Sequence, residues 1–104
     1  MVQAKTEIFS DTEIELADIA KALSHPARVK ILDILNEQTQ CIVGEIVDLL
    51  PLSQSTVSQH LKELKNAGLI QGELKPPKIK YCINKENWKI AKTLFEQFFD
   101  RIFL

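Results

Sequence analysis

SQSTVSQHLKELKNAGLI, residues 53–70, opens on short polar side chains and closes on a glycine stop. Most of its opening residues are indifferent or poor helix formers, yet the segment has a helical apolar period. At 100° per residue, Val57, Leu61 and Leu64 fall within about 60° of one another and form a core stripe over residues 54–67. Ser53 is placed to cap this helix and Gly68 to end it. The opposite side carries Ser55, Ser58, Gln59, Lys62 and Asn66. Apart from Lys62, these groups are short or amide-bearing, and they donate and accept hydrogen bonds. A helix lying in the major groove touches base edges mainly through its N-terminal residues. It needs small side chains for close approach, amides to read donor and acceptor patterns, and hydroxyls for phosphates or bases. Its N-terminus attracts phosphate through the dipole. One serine would account for a cap; five short polar residues go beyond it. Gln54, Ser55, Thr56, Ser58, Gln59 and Lys62 are therefore the expected DNA contacts. His60, on the flank of the core stripe, is expected to be packed and hydrogen-bonded.

The flanking sequence fits this reading. Residues 43–50 predict a short helix with Val43, Ile46, Val47 and Leu50 inward, ended by Pro51. On the other side, LIQGEL and KIKYCIN read as two short strands, with KPP between them as a stiff turn. Ile79, Tyr81 and Ile83 alternate with Lys80, Cys82 and Asn84, one face to the core and one exposed. Lys75, Lys78 and Lys80 surround the tip and are expected to meet phosphates beside the groove. A short helix, a tight link, a longer helix and a hairpin make a winged helix-turn-helix.

Further out, residues 1–9 read as a flexible arm. A helix over about 12–23 has capping-box options at Ser10/Glu13 and Thr12/Glu15 and an apolar stripe of Leu16, Ile19, Ala20 and Leu23. The next helix opens at Pro26, with His25 helping to cap it and Ala27, Ile31, Ile34 and Leu35 on one face. Asn84 is placed to cap a last helix over about 85–103. The fold class is thus mainly α with a small β-hairpin wing: five helices in a single domain, residues 1–104.

That last helix carries Trp88, Ile90, Ala91, Leu94, Phe95, Phe98, Phe99, Ile102 and Phe103, and holds four of the chain's five phenylalanines. The apolar residues span about 220° of the wheel, wider than the roughly 100° stripe that one core requires. The excess surface is expected to meet a copy of itself in a two-fold homodimer. Helices 12–23 and 85–103 would form the interface, through Leu16, Ile19, Leu94, Phe95, Phe98, Phe99 and Ile102. Two reading helices about 34 Å apart match successive major grooves.

Composition sets bounds on function. The net charge is −1, but residues 1–20 carry one Lys against five acids, and residues 54–80 carry five Lys against two Glu. Basic charge gathers around the quoted stretch, which favours a polyanionic partner there. No apolar run approaches the ~20 residues of a membrane span, and MVQAKTEIFSDTE has no apolar h-region. A cytoplasmic protein with no membrane partner is the simplest expectation. Cys41 and Cys82, far apart in sequence, read as reduced thiols rather than a disulfide. No nucleophile–base pair, phosphate loop or paired-carboxylate pattern stands out, so an enzyme is not expected.

Together, ALSHPARVKILDIL, VGEIVDLL, LSQSTVSQHLKELKNAGLI and a wing ending KYCIN resemble the ArsR-type (ArsR/SmtB-like) winged-helix repressors, over residues 16–103. The resemblance implies a homodimer that binds a double-stranded operator and often dissociates when an inducer arrives. It matches Gln54, Ser55, Ser58 and Gln59 to the family's DNA-contacting positions. Many members sense metals through a Cys-Val-Cys box, but the corresponding stretch here is Ile42-Val43-Gly44-Glu45-Ile46. Cys41 is one residue out of register, and the last helix has no His for the family's other metal site. No metal or cofactor is therefore expected, and the inducer is left open. Two alternatives stand beside the repressor: a winged helix used for protein contacts, and a thiol-based redox- or sulfur-responsive repressor using Cys41 or Cys82. Cys82, between lysine-bearing positions, is the better placed of the two thiols.

Overall fold

Local capping chemistry sets where each helix begins. The computed structural model describes residues 8–37, 42–43, 49–75 and 78–103. Helix α1 spans Asp11–Ala22 and uses the first of the two capping options. Ser10 Oγ accepts from the Glu13 N–H at 3.1 Å, and Glu13 Oε1 accepts from the Ser10 N–H at 2.8 Å. Helix α2, Pro26–Glu37, is capped by His25, whose Nδ1 accepts from the Ala27 N–H at 3.0 Å. Helix α3, Gln54–Asn66, starts at Ser53, whose Oγ accepts from the Thr56 N–H at 3.3 Å. Helix α4, Lys85–Phe103, starts at Asn84, whose Oδ1 accepts from the Asn87 N–H at 3.2 Å.

Among the described residues there are three strands: β1 Ile42–Val43, β2 Ile70–Lys75 and β3 Lys78–Ile83. They form one antiparallel sheet in the order β1-β3-β2. The β2–β3 hairpin runs in register from Ile70 opposite Ile83 to Lys75 opposite Lys78. The third strand was not expected. Ile42 and Val43 are β-branched, which suits an extended backbone, and they pair with Tyr81 and Lys80 along the open edge of β3. Val43 therefore belongs to a strand and not to a helix. The rest of the helix expected over 43–50 lies mostly outside the described residues, as do residues 1–7 of the arm and Pro76–Pro77 of the tip. Among the described residues there are four helices rather than five.

The core sits where α1, α2, α3, the base of the hairpin and α4 converge. Ile31, Val57, Leu64, Leu69 and Ile70 are essentially sealed from solvent. Two expectations shift. Ala20 faces outward and Ala22 is buried in its place, because Ala22 lies about 60° to the other side of Ile19 on the wheel. Leu32 joins Ile31, Ile34 and Leu35 in the core, so α2 is buried over a broader arc than its stripe implied. Tyr81 and Ile83 pack against the core from the wing, and Trp88, Leu94 and Phe95 from α4. Lys80 is exposed, but Cys82 is half-buried rather than exposed.

Gly68 ends α3 in the left-handed region, with φ 80°. Its N–H donates to the Lys65 carbonyl at 2.9 Å, and the Leu69 N–H donates to the Leu64 carbonyl at 3.0 Å, which satisfies carbonyls that the helix end leaves open. The exit is then bound to α4. Asn87 Nδ2 donates to the Gly68 carbonyl at 2.8 Å, and Trp88 Nε1 to the Leu69 carbonyl at 3.0 Å. The helix with the polar face is thus capped at its start by Ser53 and tied to α4 at its exit. No helix among the described residues is long and apolar enough to cross a membrane.

Candidate nucleic-acid interface

The inner side of α3 buries Val57, His60, Leu61 and Leu64. This fixes the rotation of the helix and turns Gln54, Ser55, Thr56, Ser58, Gln59 and Lys62 outward, all exposed. At the N-terminus, Ser53 Oγ lies 3.2 Å from Ser55 Oγ and donates to Thr56 Oγ1 at 2.9 Å. The three hydroxyls form a small polar cluster at the positive end of the helix dipole. One turn further, Gln59 Nε2 donates to Glu63 Oε1 at 3.1 Å, which holds the amide along the helix. Ser58 and Lys62 stand clear beside it. The face therefore offers hydroxyls, an amide and one cation.

Lys80 is exposed on β3, opposite Val43 on one side and Glu73 on the other. Lys75 and Lys78 occupy the last described rung of the hairpin, facing each other across it; their side chains are not among those described. The wing thus places three lysine positions on neighbouring strands close to its tip.

The residues expected at a dimer interface fall into two groups. Ile19 is buried within its own chain, and Leu16, Leu94, Phe95 and Phe98 are half-buried. Phe99 and Ile102 are exposed, and so are Ile90 and Phe103, which share their helix. A groove of about 440 Å³ runs between α1 and α4, lined by Ile19, Leu23, Trp88, Ala91 and Phe95, with Lys89 and Lys92 at its margin. Ring contacts order the outer face: the Phe99 ring centroid is 6.0 Å from that of Phe95 and 5.9 Å from that of Phe98.

His60 is buried and hydrogen-bonded, through Arg28 Nε donating to its Nδ1 at 3.1 Å. Arg28 and Glu63 were both missed from sequence. The Gln59–Glu63 pair is an i,i+4 spacing and was open to inference; the Arg28–His60 contact crosses 32 residues and was not. Of the two thiols, Cys41 lies outside the described residues. Among the described residues, no group of three or more His, Cys, Asp or Glu could hold a metal ion.

Among the described residues, four helices that present an exposed polar helix beside a hairpin have the arrangement of the winged-helix class. Comparison with known proteins narrows the class. The family described as bacterial regulatory protein, arsR family, matches residues 25–71. An uncharacterized HTH-type transcriptional regulator, MJ0229 of Methanocaldococcus jannaschii, is 37% identical over an alignment of 94 positions, with 80% of this chain and 95% of that one covered. An ArsR-like transcriptional regulator from Rhodococcus sp. RHA1 superposes with a TM-score of 0.68 at 24% identity, over 86% of this chain and 87% of that one. The transcriptional repressor BigR from Xylella fastidiosa superposes with a TM-score of 0.60 at 25% identity, over 94% and 97%. The chain belongs to the ArsR family and is a DNA-binding transcription regulator. The family is one of regulators, not enzymes.

Proposed function

We propose that the protein is a homodimeric repressor that reads an operator in the major groove with the outward side of α3. Gln54, Ser55, Ser58 and Gln59 contact base edges, while Thr56, Lys62 and the wing lysines 75, 78 and 80 meet phosphates. One observation carries this reading: the whole outward side of α3, from Gln54 to Lys62, is polar and exposed while its inner side is sealed into the core. Protein-binding surfaces usually centre on aromatic or aliphatic anchors, and this face has none. Among the described residues, Leu49 and Leu52 are exposed in the link before α3, and Ile90, Phe99, Ile102 and Phe103 are exposed on α4, where a second copy of the chain would cover them.

The test is binding of the full chain to a duplex carrying the DNA upstream of its own coding sequence. Gln59→Ala and Lys62→Ala are each expected to weaken binding, the first by about tenfold as a lost base contact. The second acts alike on all sequences. Wild-type affinity retained by both variants would overturn the assignment of α3. Retention of a protein partner, with no DNA bound at low salt, would favour the winged helix as a protein-contact module.

A further inference from the structure

Three helices meet at one buried histidine. His60 projects from the inner side of α3 and is 8% exposed. Its Nδ1 accepts from Arg28 Nε, and the same guanidinium donates through Nη1 to the carbonyls of Lys21 and Ala22, each at 3.4 Å. Those carbonyls are the open end of α1. The His25 ring lies against that of His60, with centroids 4.4 Å apart and planes tilted by 47°, and His25 itself caps α2. One guanidinium therefore ties the end of α1 and the first turn of α2 to the middle of α3.

We propose that Arg28 is a positioning residue that clamps α3 through the neutral ring of His60, and that a proton on this ring releases the clamp and weakens DNA binding. The inference rests on the reading of α3 as the DNA-contacting helix. A neutral imidazole that accepts at Nδ1 carries its proton at Nε2. A second proton, at Nδ1, would set donor against donor and place a positive charge beside the guanidinium. Burial, the neighbouring His25 ring and the Arg28 charge, in that order, hold the His60 pKa below the usual imidazole range. The groups facing His60 are His25 and Arg28, both from the α2 side, and among the described residues no carboxylate counters them. On α3 itself, Glu63 is engaged by Gln59. Because the folded-state pKa lies below the unfolded value of about 6.5, the clamp contributes fully above that pH. Its contribution is lost as pH falls from there towards the folded-state pKa.

Two measurements on the full chain test this. The first follows the His60 ring and the α3 backbone amides of the free protein by NMR as the pH falls from about 7.5 to 5, across the imidazole range. The α3 amides are expected to shift with the midpoint of His60, and amides that ignore that midpoint would overturn the proposal. The second measures anisotropy of a labelled duplex from the upstream region at fixed ionic strength. Wild-type affinity is expected to fall severalfold between about pH 7.5 and pH 5, steepening as the pH drops below about 6.5 and never exceeding about tenfold per pH unit, the limit for one proton. His60→Asn sets a non-titrating amide oxygen near the Nδ1 position, and its affinity is expected to stay within about twofold over the same range. Arg28→Ala is expected to bind weakly at both pH values with a flattened profile, and Arg28→Lys to recover part of the loss. A wild-type pH profile in His60→Asn would overturn the clamp. A wild-type chain that binds no duplex at any pH would instead overturn the DNA reading of α3, and the NMR titration would still decide the clamp.

Discussion

Gly68 shows how much one residue without a side chain can decide. Its φ of 80° suits glycine, and a Cβ there would lie 2.7 Å from Asn87 Nδ2, the group that donates to its carbonyl. Gly68→Ala therefore meets backbone strain and steric conflict at once. It is expected to cost about 1–2 kcal/mol, lowering Tm by about 5–10 °C, read by thermal unfolding at fixed protein concentration. An unchanged Tm would mean that the joint relaxes freely. The glycine stop was legible in sequence because it follows an apolar period and a lysine-bearing last turn. Asn87 as its partner was not legible, since 19 residues separate the two. The same divide runs through the other single residues. Ser10, His25, Ser53 and Asn84 act on backbone two or three residues away and were readable as caps. Arg28 acts on His60 across the fold, and nothing local announces it.

At the scale of elements, periodicity told which face of α3 turns inward, and the burial of Val57, Leu61 and Leu64 follows that stripe. It told less about α1 and α2, where Ala20 and Leu32 fell on the wrong side of the expectation. Alanine is small enough to sit on either side of a packed face, and α2 is covered from more than one direction. β1 escaped notice for a different reason. Two residues give too short a span for any period to show, and their strand exists only because β3 had an edge to offer. That edge also bears on the wing. Lys80 sits between two neighbouring strands, so its backbone is held while its side chain stays in solvent. If it meets a phosphate in each half of a dimer, Lys80→Ala should reduce the slope of log K against log salt by about 1.8. Sequence preference should be unchanged. Binding measured across a salt series checks this, and an unaltered slope would place Lys80 away from the backbone.

At the scale of the whole molecule, charge is unevenly spread along the chain. Acidic charge lies in residues 1–20 and basic charge in residues 54–80, a bias that favours a polyanionic partner for the second segment. Among the exposed apolar residues, Ile90, Phe99, Ile102 and Phe103 share α4. Phe99 is 52% exposed, whereas Phe98 is half-buried and lies under the Arg101 guanidinium, 5.8 Å from its ring centroid. Phe99 is therefore a cleaner probe of assembly than Phe98, because a charge there disturbs the protomer less. Phe99→Asp is expected to shift the protein from dimer to monomer in sedimentation and to weaken DNA binding at least tenfold, roughly the loss of one paired half-site. A stable dimer in that variant would move the interface elsewhere.

The joint between α3 and α4 also equips the protein with a built-in optical probe. The chain's one tryptophan, Trp88, donates its indole N–H to the carbonyl of Leu69, three residues beyond the end of α3. Its emission therefore senses the hinge between the groove-facing helix and the helix that carries the exposed phenylalanines. Rearrangement there, on duplex binding or on acidification, should register as a change in colour or quenching without any dye attached.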